Sequence, residues 1–296
     1  MNGSETPGES AGDSRALRDV VVVGGGVAGL SAAVFTARQG LDTLVVDSGE
    51  SILRRNAHLE NFPGFPLGVN ARQLLDLLGE QAENAGADRV DARVSRVAAA
   101  DRDEGADDGD DTDSARFVVE IDDDADGHDN VDDDGADDGD DVGNRNDGHA
   151  PGDPIRARYV VAATKNEVGY LEDVAGVGIL DRGKSYVDTD ERGRTGVDGL
   201  YAAGRLAEKS HQAAVCAGHG AEVGVTILEA DDRGFYHDWV APEGYFSDRG
   251  REVPPGCEEI DDDERREREA DSREVVRERF AAPHPDPQET HPSLEE

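Results

Sequence analysis

Lysine is nearly missing from this sequence: of 296 residues only Lys165, Lys184 and Lys209 are lysines, among 30 basic residues in all. Basic charge as a whole is scarce, because 30 Lys plus Arg face 68 Asp plus Glu, a formal net charge of −38. Nucleic-acid binding by counterion release needs a basic footprint, and this chain repels phosphates. The same deficit argues against docking on an anionic membrane surface. Cysteine is limited to Cys216 and Cys257, which make neither a CxxC redox pair, nor a zinc-ligand set, nor a disulfide framework. Apolar residues reach 36%, below the usual fraction of roughly 45–50%, so part of the chain is expected to lack a packed core. Long hydrophobic runs are absent too. The uncharged stretch from Val20 to Ala37 is interrupted by Gly24, Gly25 and Gly26 and divides into a short strand and a helix rather than a membrane span. Met1 to Asp19 is acidic and polar, without a signal-peptide pattern. A soluble cytoplasmic protein is expected.

What the chain has in excess is aspartate, 42 Asp against 26 Glu. Dense carboxylates with little lysine suit a salt-rich cytosol, where mutual repulsion is screened over short distances, and an extreme halophile is the habitat expected. Residues 101 to 150 alone hold 22 acidic side chains. The stretches 101–113 and 122–153 read as solvated loop insertions. Calcium binding is disfavoured there, since the ligand spacing and flanking helices of an EF-hand are missing.

Outside those stretches the pattern is that of an α/β fold. Residues 1–18 read as a disordered leader, and 19–230 as one domain. In it, Val20 to Val23 is a buried-type strand, Val27 to Gln39 a helix stopped by Gly40, and Leu44 to Val46 a second strand ending at Asp47. Strand, turn, helix, strand is the opening of a parallel sheet. Asn70 can cap a helix running to Gly86 on Leu74, Leu75, Leu78, Ala82 and Ala85. Val90 to Val97, Phe117 to Ile121 and Ile155 to Ala162 form a plausible meander of three strands. Val197 to Ala203 reads as a last strand and Gln212 to Leu228 as a last helix. Residues 231–296 read as a charged extension, with a helix over about 261–280 laced by pairs such as Glu264/Arg268 and a mobile proline-rich tail from Pro283.

Gly24, Gly26 and Gly29 form a G-x-G-x-x-G between strand and helix, with Asp47 closing the next strand 18 residues after the third glycine. Gly24 allows the tight turn, Gly26 a close approach of backbone to a pyrophosphate, and Gly29 close packing of helix on sheet. The helix N-terminus supplies unpaired N–H groups to the anion. Asp47 can accept hydrogen bonds from a ribose 2′-hydroxyl and would repel a 2′-phosphate. The alternative is a glycine-rich turn without ligand.

With Asn56 to Pro66, Asp188 to Thr195, Gly199 to Gly204 and Gln212-Ala213 added to Val21 to Ala37, the chain resembles the FAD domain of thioredoxin reductase-like flavoproteins, within the pyridine nucleotide-disulfide oxidoreductase superfamily. The resemblance covers most of residues 18–230 outside the acidic stretches. It implies a Rossmann-like FAD-binding domain with a parallel sheet and a β-meander, and FAD in the first unit. Gly24, Gly26, Ala28 and Gly29 would then hold the pyrophosphate, Asp47 the adenosine ribose, and Val94 the adenine through its backbone. Ala163 and Thr164 would lie along the neighbouring part of the dinucleotide, Asn61 at the flavin side, and Gln212 and Ala213 at the isoalloxazine edge. Gly204 and Arg205 occupy the place of the family's Gly-Asp pair at the ribityl and phosphate region.

Three departures stand out. Lys165 replaces the glycine after Ala-Thr, Arg205 reverses the charge of an aspartate, and His211 replaces the arginine before Gln-Ala. Arg205 can bond a phosphate directly; alternatively Arg205 and Lys165 pair with surface carboxylates. Only 35 residues separate Thr164 from Leu200, where the family places a second Rossmann domain with the NADPH site and the CxxC pair. No second NAD(P)H domain is therefore expected. The function expected is an FAD-dependent oxidoreductase without a redox-active disulfide, served by a diffusible NAD(P)H or a protein donor and an unidentified acceptor; a homodimer is implied only weakly. A noncatalytic or regulatory dinucleotide-binding protein is the alternative, and NAD in the first unit without flavin is a third. No metal site emerges, His211 and His219 being too far apart for a helical pair. Cys216 reads as a small buried residue.

Overall fold

A computed structural model describes residues 17–100, 114–122 and 154–290. The leader up to residue 16, the acidic stretches 101–113 and 123–153, and residues 291–296 lie outside the described residues.

The first strand, β1 (Leu17–Val23), starts inside the stretch expected to be leader, because Arg18 anchors it with ion pairs to Asp42 (2.7 Å) and Asp88 (2.5 Å). It is followed by α1 (Val27–Arg38), β2 (Thr43–Asp47), α2 (Ala71–Asn84), β3 (Asp88–Asp91), β4 (Arg93–Ala99), β5 (Phe117–Asp122) and β6 (Ile155–Ala162). Then come the hairpin β7 (Ile179–Asp181) and β8 (Ser185–Val187), β9 (Leu200–Ala202) and α3 (Ala213–Ala230). The extension supplies β10 (Trp239–Pro242), β11 (Cys257–Ile260) and α4 (Asp262–Arg279). A single seven-stranded sheet runs β3-β2-β1-β6-β5-β4, with β9 also paired to β6. β1, β2, β3, β6 and β9 pair in parallel, and β4 and β5 are antiparallel.

The alternation of side chains along β1 explains its four valines. Val20 and Val22 face a core shared with α1, α2 and α3, while Val21 and Val23 face a second core containing Phe117, Val119, Tyr170 and Leu171. A strand buried on both faces reads as an unbroken apolar run, and each valine contributes roughly 1.5–3 kcal/mol by its burial. α1 and α3 approach closely because glycines line the contact. A Cβ on Gly220 would stand 2.0 Å from the Ala28 carbonyl oxygen, and one on Gly224 2.9 Å from that of Ala32.

The expected first meander strand is two strands. Val90 belongs to β3, which extends the parallel sheet beyond β2, whereas β4 pairs antiparallel with β5. The turn between them, at Ala92, is buried and bonded to the Asp47 carbonyl. The side chain of Asn70 caps α2 by accepting from the Arg72 N–H at 2.9 Å, as the sequence suggests. The last strand is shorter than expected, Leu200–Ala202, and Gln212 is the N-cap of α3 rather than its first residue.

In the extension β10 and β11 pair in parallel, and Trp239, Tyr245 and Phe246 pack edge to face with centroids 4.6–5.7 Å apart. Arg38 fastens it to α1 through two bonds to Asp238, both 2.7 Å. A deeper link joins β1, β6 and the end of α3: Arg158, 5% exposed, lies 3.0 Å from both Asp19 and Asp231, and Arg233 binds the same two carboxylates. α4 is exposed along its whole length, and Asp261 caps it instead of pairing with Arg265. The tail expected to be mobile returns to the domain as far as it is described. Phe280 packs on Phe65, His284 bonds Asp76 at 2.7 Å, and Gln288 donates to the Arg55 carbonyl at 3.1 Å. No helix among the described residues is long and apolar enough to cross a membrane.

Candidate functional site

The C-terminal ends of β1, β2 and β6 open onto a cavity of about 1050 Å³, where doubly wound sheets carry ligands. Gly24, Gly26, Ala28, Asp47, Asn61, Val94, Ala163, Thr164, Arg205, Gln212 and Ala213 all line it. Gly29 and Gly204 do not: their places are set by packing. A Cβ on Gly29 would lie 2.0 Å from the Gly24 carbonyl oxygen, and one on Gly204, at φ +64°, would lie 2.6 Å from the Ala28 Cβ.

The turn before α1 has the features of an anion seat. Gly24 adopts φ +105°, and a Cβ there would press on the Ala163 carbonyl at 2.9 Å. A Cβ on Gly25 would meet the Asp47 carboxylate at 2.3 Å, which holds that carboxylate against the turn. At Gly26 the space is open, the nearest atom being Ser51 Oγ at 3.8 Å. No side chain caps α1 and no acid lies in its first turn, so its leading N–H groups stay available to a diphosphate. Asp47 forms no ion pair among the described residues. These features fit a dinucleotide: open backbone for the diphosphate and a free carboxylate for a ribose.

At the far side of the cavity Asn61 donates to Gln212 Oε1 at 2.7 Å, joining the loop after β2 to the start of α3. Cys216 is buried here, its Sγ 3.5 Å from the Ser210 carbonyl, and desolvation pushes its thiol pKa up. His219, a residue for which the sequence offers no role, is buried one turn further on. Its Nδ1 accepts the Gly204 N–H at 3.0 Å, and so fixes the turn carrying Arg205. Desolvation pushes its pKa down, with Lys209 adding to the effect.

The three departures gather at this end. Lys165 has φ +65°, the left-handed conformation for which a glycine is the natural residue. Arg205 does not pair with a carboxylate among the described residues. Its guanidinium lies 4.9 Å over the Tyr186 ring and donates to the Tyr186 hydroxyl and, at 3.2 Å, to the Lys209 carbonyl. His211 has a lowered pKa, first from desolvation and then from Arg205, Lys165 and Lys184. Tyr186 and Lys184 come from the β7–β8 hairpin, which no motif marks. The rarity of lysine was the one available signal for Lys184.

Parallel sheet, glycine turn and cavity define a Rossmann-like α/β fold whose open end fits a dinucleotide. Comparison with known proteins makes it more particular. A family described as an FAD binding domain matches residues 19–57, which indicates FAD as the dinucleotide. The thioredoxin reductases of Aquifex aeolicus and Streptomyces coelicolor are 40% and 38% identical over 78 and 84 residues, covering 26% and 27% of this chain and 24% and 26% of their own. The matched part thus spans about a quarter of the length of these curated relatives. The structure of a thioredoxin reductase from Gloeobacter violaceus aligns with TM-score 0.53 at 17% identity over 75% of this chain and 99% of its own. That of Streptococcus pyogenes aligns with TM-score 0.53 at 13% identity over 73% and 98%. At such identities the two structures speak for the fold.

Proposed function

We propose that this chain is an FAD-dependent oxidoreductase of the thioredoxin reductase-like kind that works without a redox-active disulfide and without a nicotinamide domain of its own. The observation carrying this reading is the single cavity that joins the α1 N-terminus, the free Asp47 carboxylate and the Asn61–Gln212 pair. Gly24, Gly26, Ala28 and the first N–H groups of α1 hold the diphosphate, Asp47 the adenosine ribose, and the Val94 backbone the adenine. Ala163 and Thr164 flank the dinucleotide, and Gln212 and Ala213 border the isoalloxazine. Bound FAD supplies the redox chemistry, and the protein supplies binding and orientation. The two cysteines support the disulfide-free reading, since Cys216 lies on α3 and Cys257 starts β11. Residues 165–199 hold one short helical turn and the β7–β8 hairpin, so electrons come from a diffusible nicotinamide or a protein donor and leave to a separate acceptor. A cytoplasmic, salt-adapted homodimer belongs to the same reading.

A noncatalytic dinucleotide-binding role draws support from one specific feature, the strained Lys165 in a glycine position. The visible spectrum of protein purified in high salt separates the two. Stoichiometric FAD that is bleached by NADH or NADPH is the expected result. A colourless protein that cannot be reconstituted with FAD refutes the oxidoreductase.

A further inference from the structure

Two of the three lysines in the chain, Lys165 and Lys184, line this one cavity, together with Arg55, Arg205 and His211. In a protein of net charge −38, such a concentration of cations calls for an explanation. Three acids that share the cavity wall are already paired, with Arg93 and His58 of the same wall. Glu50 and Glu167 bind Arg93 at 2.8 and 3.3 Å, and Glu60 lies 3.0 Å from His58. Among the described residues Arg55, Lys165, Lys184 and Arg205 form no ion pair. Among the described residues the four are therefore like charges without a carboxylate partner.

The cations bear on one another across the cavity. Desolvation lowers the Lys165 pKa, and Lys184 and Arg55 lower it further. The ensemble also costs backbone strain, because Lys165 sits at φ +65°, where a β-carbon is disfavoured by about 1 kcal/mol. Arg205 is braced for its place by Tyr186 and the Lys209 carbonyl. The diphosphate has its own seat at the α1 N-terminus, whereas these cations come from the loop after β6, the hairpin turn and the approach to α3. Building on the FAD-binding reading above, we infer that Lys165, Lys184, Arg55, Arg205 and His211 form an oxyanion subsite beside the flavin end, which receives the carboxylate or phosphate group of an anionic second substrate. Two lysines and two arginines supply charge-assisted donors; Lys184 and His211 are exposed at the mouth, and Arg55, Lys165 and Arg205 are half-buried behind them. A protein that repels anions over most of its surface would in this way admit one at a single place.

The test is isothermal titration of FAD-loaded protein with inorganic phosphate and, separately, acetate at constant ionic strength, with flavin absorbance followed in parallel. Saturable binding of phosphate or acetate is expected, accompanied by a shift of the flavin bands. The stronger of the two ligands tells which oxyanion the subsite prefers. Lys184→Ala should weaken that binding about tenfold, the loss of one charge-assisted hydrogen bond, and leave FAD content unchanged. Failure of both anions to bind FAD-loaded protein overturns the inference. Loss of FAD in step with loss of anion binding also overturns it, because the cations would then serve the cofactor's own diphosphate. If the protein takes up no FAD, the oxidoreductase reading falls. Titration of that same protein with phosphate, alongside Lys184→Ala, then decides the subsite on its own.

Discussion

The contact between α1 and α3 offers a test in which the same substitution has opposite effects two residues apart. Gly218 and Gly220 both lie inside α3, where replacing glycine by alanine in a helix gains about 0.5–1 kcal/mol. A Cβ at Gly218 meets nothing within 4 Å, so Gly218→Ala should show that gain. At Gly220 the new methyl would stand 2.0 Å from the Ala28 carbonyl oxygen and 2.7 Å from its carbon. These are backbone atoms that cannot rotate away, and the gap is more than an ångström short of ordinary contact. Overpacking of this kind costs about 1–3 kcal/mol, sometimes more, which outweighs the propensity gain. The propensity gain is common to both, so the two variants should differ by the overpacking term alone, about 1–3 kcal/mol, a separation in melting temperature of roughly 3–10 °C for a domain of this size. Thermal denaturation in molar KCl measures it. Because Ala28 lies in the first turn of α1, proposed above to hold the diphosphate, Gly220→Ala should also lose FAD more readily in gel filtration. If Gly220→Ala is as stable as Gly218→Ala, the close approach of the two helices is wrong.

Three further outcomes follow from the charges. With net charge −38 and screening that tightens to about 3 Å at molar salt, the melting temperature should rise steadily from dilute buffer to molar KCl; a flat response would refute the salt adaptation. The pKa values of His211 and His219 are both lowered in the fold, so the unfolded chain binds more protons below its usual value near 6.5. Stability should be full above that pH and fall as the pH drops below about 6.5, and His219→Phe should flatten the slope in urea titrations. Arg158→Met leaves Asp231, only 2% exposed, short of a partner. It should cost about 3 kcal/mol, near the lower end for a broken buried pair because Arg233 still binds that carboxylate. Arg158→Met combined with Asp231→Leu should recover most of the loss in the same urea assay.

The glycine turn, α1, the capped α2 and the valine strand were all legible in the sequence, because each rests on local spacing and backbone preference. Gly24 and Asp47 follow from local spacing and Asn61 and Gln212 from the family resemblance, and the fold brings all four to one cavity. What escaped depends on contacts between distant segments. The break between β3 and β4 at Ala92 is set by its bond to the Asp47 carbonyl, and nothing in Val90 to Val97 signals it. The return of the tail rests on Phe280 against Phe65 and His284 against Asp76, which proline content alone obscures. His219 reads as an ordinary helix residue until Gly204 is brought to its ring. Arg205 and Lys165 stood out as departures, yet that neither pairs with a carboxylate among the described residues is a property of the folded surface.

β6 and β9 pair in parallel from Val160 with Leu200 to Ala162 with Ala202, although the chain leaves the sheet after the first and re-enters it just before the second. The register of these two strands fixes where the excursion departs and where it lands, whatever happens between. The interval therefore behaves as a socket: a short hairpin occupies it here, and a larger body could occupy it without disturbing the sheet or the glycine turn. Splicing a foreign domain between Glu172 and Asp188 would be the natural test of that tolerance. By the same logic, the hairpin now in the socket is the part of the molecule freest to change what reaches the cavity.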